Sequence, residues 1–300
     1  MEVFDKQDNA EFLCERCLSK LDSNLHNCFK NSIFAIDRLL ANYKMVFPFY
    51  TDHTLEHSEQ VIRYVNYFLG VQNANKLNAD ELYVLLMGAL LHDIGMGISK
   101  KDFEEFSPNI EGMKEYLEAN SDSLIEETTR EFHQEFSVEF IKKYKDLFEI
   151  PTEKHLFCIG QIARGHRRHN LCNKEEFDPE YKLDNGNVVR LPYLAGLVKI
   201  ADEMDIANER NLLINYDEYT QDGTLEKIMC FKAHEAVYRI EFDEDIQVFF
   251  NTDEEIVLDE INKINKKVLE TFRQYKEAVS LYTEFISPCK NIYFIRKIGE

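Results

Sequence analysis

The sequence predicts a mainly α-helical protein, a helical bundle that carries a small antiparallel β appendage near residues 225–250. Apolar residues recur at helical spacing through most of the first two thirds of the chain, which indicates amphipathic helices. Between residues 228 and 250 the apolar residues tend to alternate and are rich in β-branched and aromatic types, which favours strands. Residues 254–286 return to helical spacing, so a long helix is expected after the strands.

The N-terminal residues 8–47 are predicted to form one or two helices. Cys14 and Cys17 form a C-x-x-C there, which is either a pair of core cysteines or part of a zinc site. The core reading is favoured because zinc-binding pairs usually lie on turns. Pro48 breaks the pattern, and a new helix starts near Thr54. The following helix, residues 79–92, is nearly all apolar and is therefore expected at the centre of the bundle.

Residues 98–122 are polar and are expected to form a lid or an insertion over the site. Proline residues open two of the later helices, and a polar loop separates them. The remaining predicted elements are helices over 128–148, 151–166 and 192–205, strands over 228–231, 237–242 and 246–250, and a further strand over 291–298.

Composition bounds the class of protein. A chain of 300 residues with 44% apolar content can bury a sizeable core as one domain. The formal net charge of -20 opposes general binding to nucleic acids or anionic membranes. Seven cysteines, an odd number, do not form a secreted disulfide framework. With neither a signal segment nor a membrane-length apolar run, the sequence predicts a cytoplasmic protein.

The feature with the clearest chemistry is His92-Asp93, which closes the central apolar helix and is followed by Gly95 and Gly97. Side chains of adjacent helical residues point about 100° apart, but a helix end relaxes this geometry, so the pair can converge on one point. Imidazole and carboxylate together suit Zn, Mn, Fe or Ni. Further candidate ligands lie on successive segments, namely His57, His133, His166 and Asp202.

This arrangement resembles the HD-domain metal-dependent phosphohydrolase superfamily. The defining residues match His57 in His57-Ser58-x-x-Val61, the His92-Asp93 pair, and Asp202 in Lys199-Ile200-Ala201-Asp202. His133 and His166 match the two additional histidines of members that hold two metals. The order Tyr50-Thr51-Asp52-His53, then Leu91-His92-Asp93-Ile94-Gly95-Met96, then a β element, looks like the HD-CE type, bacterial domains often found near or fused to chaperone-like ATPases.

The resemblance covers roughly residues 50–210. The whole chain is predicted to be a single HD-type domain over 1–300, with N-terminal helices at 1–47, a metal-site core at 48–210, the β appendage at 211–253 and a C-terminal helix and tail at 254–300. The resemblance also implies one or two divalent transition metal ions (Mn, Fe, Ni or Zn) held by His57, His92, Asp93, His133, His166 and Asp202. Asp93 would bridge two ions. His169 competes with His166, which is favoured because it directly follows a helix end.

Two further roles are expected near the metals. His53, one turn before His57, is a candidate proton donor to the leaving group, or else makes a hydrogen bond at the helix N-terminus. Basic residues cluster where a phosphate would lie, and at least two of them are expected to pair with acidic side chains. The candidates for substrate binding are Arg164, Arg167, Arg168 and Lys199.

The resemblance implies metal-dependent hydrolysis of a phosphoester, with Asp93 and His53 as catalytic residues and a nucleotide or small oligonucleotide as the expected substrate. No Gly-Tyr-Pro follows His166, as it does in HD-GYP cyclic-dinucleotide phosphodiesterases, and the Glu-Asp of alarmone hydrolases is absent after Gly95. A di-iron HD-type oxygenase and a partner-regulated binding module with a structural metal stay open as alternatives. A homo-oligomer through the 254–286 helix and a chaperone-like ATPase partner also stay open.

Overall fold

The computed structural model describes residues 13–41, 54–120, 124–207 and 225–297. These residues form eleven α-helices and two small sheets, so the mainly helical fold is confirmed. The helices are α1 (Leu13–Leu21), α2 (Ser23–Leu40), α3 (Leu55–Ala74), α4 (Ala79–Leu91), α5 (Lys100–Phe106), α6 (Met113–Ala119), α7 (Ile125–Lys143), α8 (Glu153–Gly165), α9 (Leu191–Glu203), α10 (Leu225–Ala236) and α11 (Glu255–Ser280). The strands are β1 (Tyr181–Lys182), β2 (Val188–Val189), β3 (Val237–Phe242), β4 (Asp245–Phe250) and β5 (Asn291–Arg296).

Helix α4 lies at the centre of the bundle, as its all-apolar sequence predicts. Every residue from Asp80 to Leu91 is buried, and the helix contacts α1, α2, α3, α8 and α9. Asn78 and Glu81 form a reciprocal capping box at its N-terminus, which satisfies backbone N–H groups that the helix itself leaves unpaired. Buried apolar side chains from α1 to β5 form one continuous cluster around it.

Polar side chains hold the N-terminal end of α4. Asp80 accepts hydrogen bonds from His155 Nε2 at 2.7 Å, Asn185 Nδ2 at 3.0 Å and Asn187 Nδ2 at 2.6 Å. These partners come from α8 and from the turn between β1 and β2, within the predicted polar loop 173–188. Asp80 therefore ties that loop to the core.

The segment predicted as a lid or insertion contains α5, a short 3-10 turn and α6. Ser99 and Asp102 form a capping box at the start of α5. Lys143, at the C-terminal end of α7, binds Asp102 at 2.8 Å, and Tyr116 on α6 packs edge-on against Phe132 on α7. The segment is thus anchored along α7 at both ends.

The antiparallel pair of the β appendage is confirmed by β3 and β4, and one predicted strand is wrong. Residues 228–231, predicted as a strand, belong to helix α10, where Phe231 and His234, three residues apart, are both buried. A short apolar run of this length does not distinguish a strand from a buried helical turn. β5 lies within the predicted range, but it pairs in parallel with β4, whereas β3 and β4 are antiparallel. The pairing is parallel because the connection that contains α11 returns the chain to the end of the sheet at which β4 begins, so that β5 runs in the same direction as β4.

The apolar face of the long helix α11 covers the core. Its buried residues include Val268, Phe272 and Tyr275, and the helix packs on α9 and α10. This face therefore covers the core, and a homo-oligomer through the helix stays a prediction.

The N-terminal cysteines behave as core residues. Cys14 is fully buried in α1, and burial raises the pKa of its thiol well above the usual value. No group of His, Cys, Asp and Glu side chains able to hold a metal includes a cysteine among the residues that the structure describes. The interpretation as a core pair is thus favoured over a zinc site.

No single helix within the described ranges combines the length and the apolar character needed to cross a membrane. One pair of helical segments, Ala79–Gly97 and Lys100–Asn109, meets both criteria when the two are taken together, and the pair is bent by 105°.

Candidate metal centre

Five helices bring the six predicted ligands to one place. Each residue lies at or near the end of its helix, except one in the middle of α7. The positions are His57 in the first turn of α3, His92 and Asp93 just after α4, His133 within α7, His166 at the end of α8, and Asp202 in the last turn of α9. Five of the six are buried, and Asp202 is partly exposed.

The turn after α4 allows the adjacent His92 and Asp93 to converge. His92 caps the helix, and Asp93 leaves helical geometry (φ -104°, ψ 8°) before a 3-10 turn, so His92 Nε2 lies 3.3 Å from Asp93 Oδ2. Ser137 on α7 fixes this turn. Its hydroxyl donates to the His92 carbonyl at 2.7 Å and accepts from the Gly95 N–H at 2.9 Å.

The donor atoms form two groups that share Asp93. In the first group, His57 Nε2 lies 3.2 Å from His92 Nε2, 3.5 Å from Asp93 Oδ2 and 3.4 Å from Asp202 Oδ1. These four atoms surround a common point. The distances between them are those expected of donor atoms around one cation whose ligands lie about 2.1 Å away. The first group is called the four-donor site below.

The second group uses the other oxygen of Asp93. Asp93 Oδ1 lies 3.3 Å from His133 Nε2 and 3.5 Å from His166 Nε2, and the two nitrogens are 3.0 Å apart. These three atoms form the three-donor site. The carboxylate of Asp93 therefore faces one group of donors with each oxygen, which is the arrangement of a bridging ligand.

Backbone carbonyls fix the tautomers of three imidazoles. The Nδ1–H of His92, His133 and His166 donates to the carbonyl three residues earlier, at 2.7, 2.6 and 2.5 Å. With the proton on Nδ1, the lone pair of each Nε2 points into the centre. Two such lone pairs face each other at 3.0 Å between His133 and His166, which is unfavourable unless a cation lies between them. The donor set thus fits a metal ion.

The electrostatics of the centre agree with that fit. Burial lowers the pKa of His133 and of His166, so both rings are neutral and able to act as ligands. For His92, burial is outweighed by Asp93 and Asp202, which raise its pKa. At Asp202 burial raises the pKa, but the neighbouring rings of His57 and His92 outweigh it and hold the pKa far below the usual value. The buried carboxylates therefore favour a positive charge beside the rings.

A comparison with known families decides the affiliation of the chain. The model of the HD-CE family matches residues 47–273, most of the chain and all six candidate ligands. The chain belongs to the HD-CE family. No curated protein and no solved structure matches it. The family match and the buried cluster of His and Asp together indicate an HD-type metal centre.

One residue of the HD-CE centre was missed from the sequence. Asp205 Oδ2 accepts a hydrogen bond of 2.6 Å from His57 Nδ1, so a side chain orients this ring where backbone carbonyls orient the other three. Its only sequence signal is its position three residues after Asp202. That spacing does not reveal a partner as distant in the chain as His57.

The basic residues predicted near the HD-CE centre divide into three cases. Arg164 pairs with Glu135 at 2.8 Å, and Arg168 pairs with Glu131, so two of them are neutralised as expected. The Lys199 ammonium is buried and donates to the backbone carbonyls of Arg167 and His169. Burial, with Arg167 nearby, lowers the pKa of Lys199 to about 8.

Arg167 is the third case. It is half-buried, and within the described ranges its guanidinium makes neither a hydrogen bond nor an ion pair. Its charge reaches the centre, because Arg167, after burial, is among the causes that lower the pKa of His133. Arg167 is thus an available cation beside the three-donor site.

Two other histidines were considered for the HD-CE centre. His169 lies between Glu135 Oε1 at 3.0 Å and Glu176 Oε2 at 3.2 Å, and His166 occupies the centre instead. His53 lies outside the described residues, so its role stays a prediction.

Proposed function

We propose that this HD-CE protein is a metal-dependent phosphohydrolase that cleaves a phosphoester, with a nucleotide or a small oligonucleotide as substrate. The observation that supports this most directly is Asp93, whose two carboxylate oxygens face two separate groups of buried donors. The six residues His57, His92, Asp93, His133, His166 and Asp202 would hold two divalent ions. Bound ions would acidify a water molecule and neutralise phosphate oxygens.

The protein's own residues then bind and orient the substrate. The three-donor site has one protein ligand fewer than the four-donor site, which leaves more room there for water or a substrate oxygen. Arg167, beside this site, would bind phosphate oxygens in the forked geometry that guanidinium provides. Lys199 would act as a positioning residue, because it holds the carbonyl of Arg167.

The reaction adds water across a P–O ester bond. The water oxygen forms a new bond to phosphorus and gives up a proton to solvent, the ester bond breaks, and the leaving oxygen takes up a proton from the protein. We assign the role of proton donor to His53, because it lies four residues before His57 in the sequence.

The test is a mass-spectrometric screen of nucleotides, cyclic dinucleotides and short oligonucleotides with added Mn²⁺. The parent protein is compared with Asp93→Ala and with Asp184→Ala, which removes an exposed carboxylate that pairs with Lys154. We expect the parent and Asp184→Ala to turn over one class of substrate, and Asp93→Ala to lose turnover.

Full activity of Asp93→Ala would contradict the mechanism. Absence of turnover by the parent across the panel, with metal bound, would contradict the substrate class. An iron-containing protein that consumes O₂ as it forms product would instead identify the oxygenase. Circular dichroism of each variant shows whether the fold is retained.

A further inference from the structure

The four imidazoles of the metal centre are not held alike. His92, His133 and His166 are oriented by carbonyls of their own helices, which stay in place as long as those helices are formed. His57 is oriented by Asp205, a side chain 148 residues away in the chain. The two donor sites therefore differ in how their imidazoles are oriented. The four-donor site contains His57, which a side chain orients, whereas both imidazoles of the three-donor site are oriented by backbone carbonyls.

Asp205 is in turn held by the segment around it. It lies two residues after the end of α9, and its N–H donates to the Asp202 carbonyl at 3.1 Å. The next carbonyl, that of Ile206, accepts a hydrogen bond of 3.1 Å from His234 Nδ1. His234 is buried on α10, which leads directly into strand β3 of the appendage. A continuous set of contacts thus runs from α10 through Ile206 and Asp205 to His57.

We propose that Asp205 is the positioning residue of His57, and that His234 on α10 holds Asp205 in place, so that the four-donor site depends on the packing of α10. This inference rests on the metal centre of the proposed function. A carboxylate that accepts the Nδ1–H of a ligating imidazole fixes the ring and makes Nε2 a stronger ligand, and loss of such a partner typically weakens metal binding 10- to 100-fold.

The test is calorimetric titration of the metal-free protein with Mn²⁺, with metal content measured by mass spectrometry. Asp205→Ala is expected to weaken one binding step by roughly 10- to 100-fold. That step is the one that His57→Ala removes, and not the one that His133→Ala removes. Asp205→Asn, whose amide oxygen still accepts from His57 but carries no charge, is expected to weaken it less.

The contribution of α10 is tested in the same titration. His234→Ala is expected to weaken the same step by a smaller factor than Asp205→Ala, whereas His234→Asn, which places an amide N–H near the position of Nδ1, should restore it. Equal affinity in His234→Ala and the parent would overturn the link to α10.

The proposal for Asp205 is overturned if Asp205→Ala retains every binding step at parental affinity, or weakens the step assigned to His133. The melting temperature of each metal-free variant shows whether the fold itself has changed. Because the readout is metal affinity, these outcomes are independent of whether the parent hydrolyses phosphoesters.

Discussion

At the scale of single residues, the site combines a strongly acidic protein with a local capacity to bind anions. The chain carries a formal charge of -20, yet Arg167 keeps its positive charge available beside the three-donor site. Its neighbours explain this. Arg164 and Arg168 each lie against a glutamate on α7, which leaves Arg167, directly after His166, unpaired among the described residues.

Substitution of Arg167 tests this assignment with a matched control. In the presence of Mn²⁺, inorganic phosphate is expected to raise the melting temperature of the parent, because a ligand that binds only the folded state stabilises it. Arg167→Ala should weaken phosphate binding by about 1.5–3 kcal/mol, the contribution of a charge-assisted hydrogen bond, and so remove most of that rise. Arg168→Ala should keep the rise in melting temperature, because the Arg168 guanidinium of the parent already pairs with Glu131. An unchanged phosphate response in Arg167→Ala would rule out the assignment.

Sequence reasoning named the six candidate ligands that the structure brings together, and it missed Asp205, which orients one of them. The residues His92 and Asp93 are adjacent in the chain, and the other candidate ligands follow a recognisable order. Helical periodicity and the family resemblance are therefore sufficient to predict them. Asp205 was missed because its role arises only when the end of α9 is brought against the first turn of α3. The availability of Arg167 likewise depends on glutamates of another helix, which no local pattern reveals.

At the scale of elements, the centre depends on how closely the turn after α4 approaches α7. Gly95 has no side chain, and a Cβ atom built there would lie 2.2 Å from the His133 carbonyl oxygen and 2.5 Å from the Ser137 nitrogen. Both atoms belong to the backbone and cannot rotate away. The approach places Asp93 against His133, so Gly95 is required at this position.

Gly95→Ala is therefore expected to lower the free energy of unfolding by roughly 1–3 kcal/mol, the usual cost of overpacking, and to weaken metal binding as α7 moves away. The control is Gly160→Ala on α8, where the new Cβ would lie 3.7 Å from Val138, an ordinary contact. That substitution should raise stability by about 0.4–1 kcal/mol through the unfolded state. Urea unfolding measures both effects, and equal stability of Gly95→Ala and the parent would contradict the packing argument.

The elements also show where periodicity stops being sufficient. Helix α4 lies close to its predicted range because its uninterrupted apolar sequence is typical of a buried helix. Helix α11 does so because many of its residues follow the helical period. Residues 228–231 were assigned wrongly because four residues fit either period, and tertiary burial of Phe231 and His234 decided for a helix. The parallel pairing of β5 depends on a partner far away in the chain and has no local signal.

At the scale of the whole molecule, the two ends of α4 serve different purposes. The helix has thirteen residues and is about 20 Å long, with His92 following its C-terminal end and Asp80 at its N-terminal end. The C-terminal end contributes to the metal centre. The N-terminal end joins α8 and the β1–β2 turn through Asp80, whose buried carboxylate accepts three hydrogen bonds. Global stability should therefore respond to acid at the end remote from the site.

The pKa of Asp80 gives the direction of that response. Burial raises it, but the hydrogen bonds from His155, Asn187 and Asn185 outweigh burial and lower the pKa to about 2 from the usual value of 3.8. When the pKa of a carboxyl group is lower in the folded than in the unfolded state, its charged form stabilises the folded protein at pH values above the unfolded-state pKa. This stabilisation is lost as the pH falls from about 4 to 2. The shift corresponds to about 2 kcal/mol.

The difference in unfolding free energy between the parent and Asp80→Asn measures this contribution, because groups away from Asp80 titrate alike in both proteins. We expect the difference to be largest at pH 5–7 and to shrink by about 2 kcal/mol as the pH falls to 2. Asp184→Asn, which removes the charge of an exposed ion pair in the same loop, should show a small difference with little dependence on pH. Urea unfolding at each pH provides the measurement. A difference for Asp80→Asn that stays constant between pH 6 and pH 2 would show that hydrogen bonding alone, without the charge, ties the loop to α4.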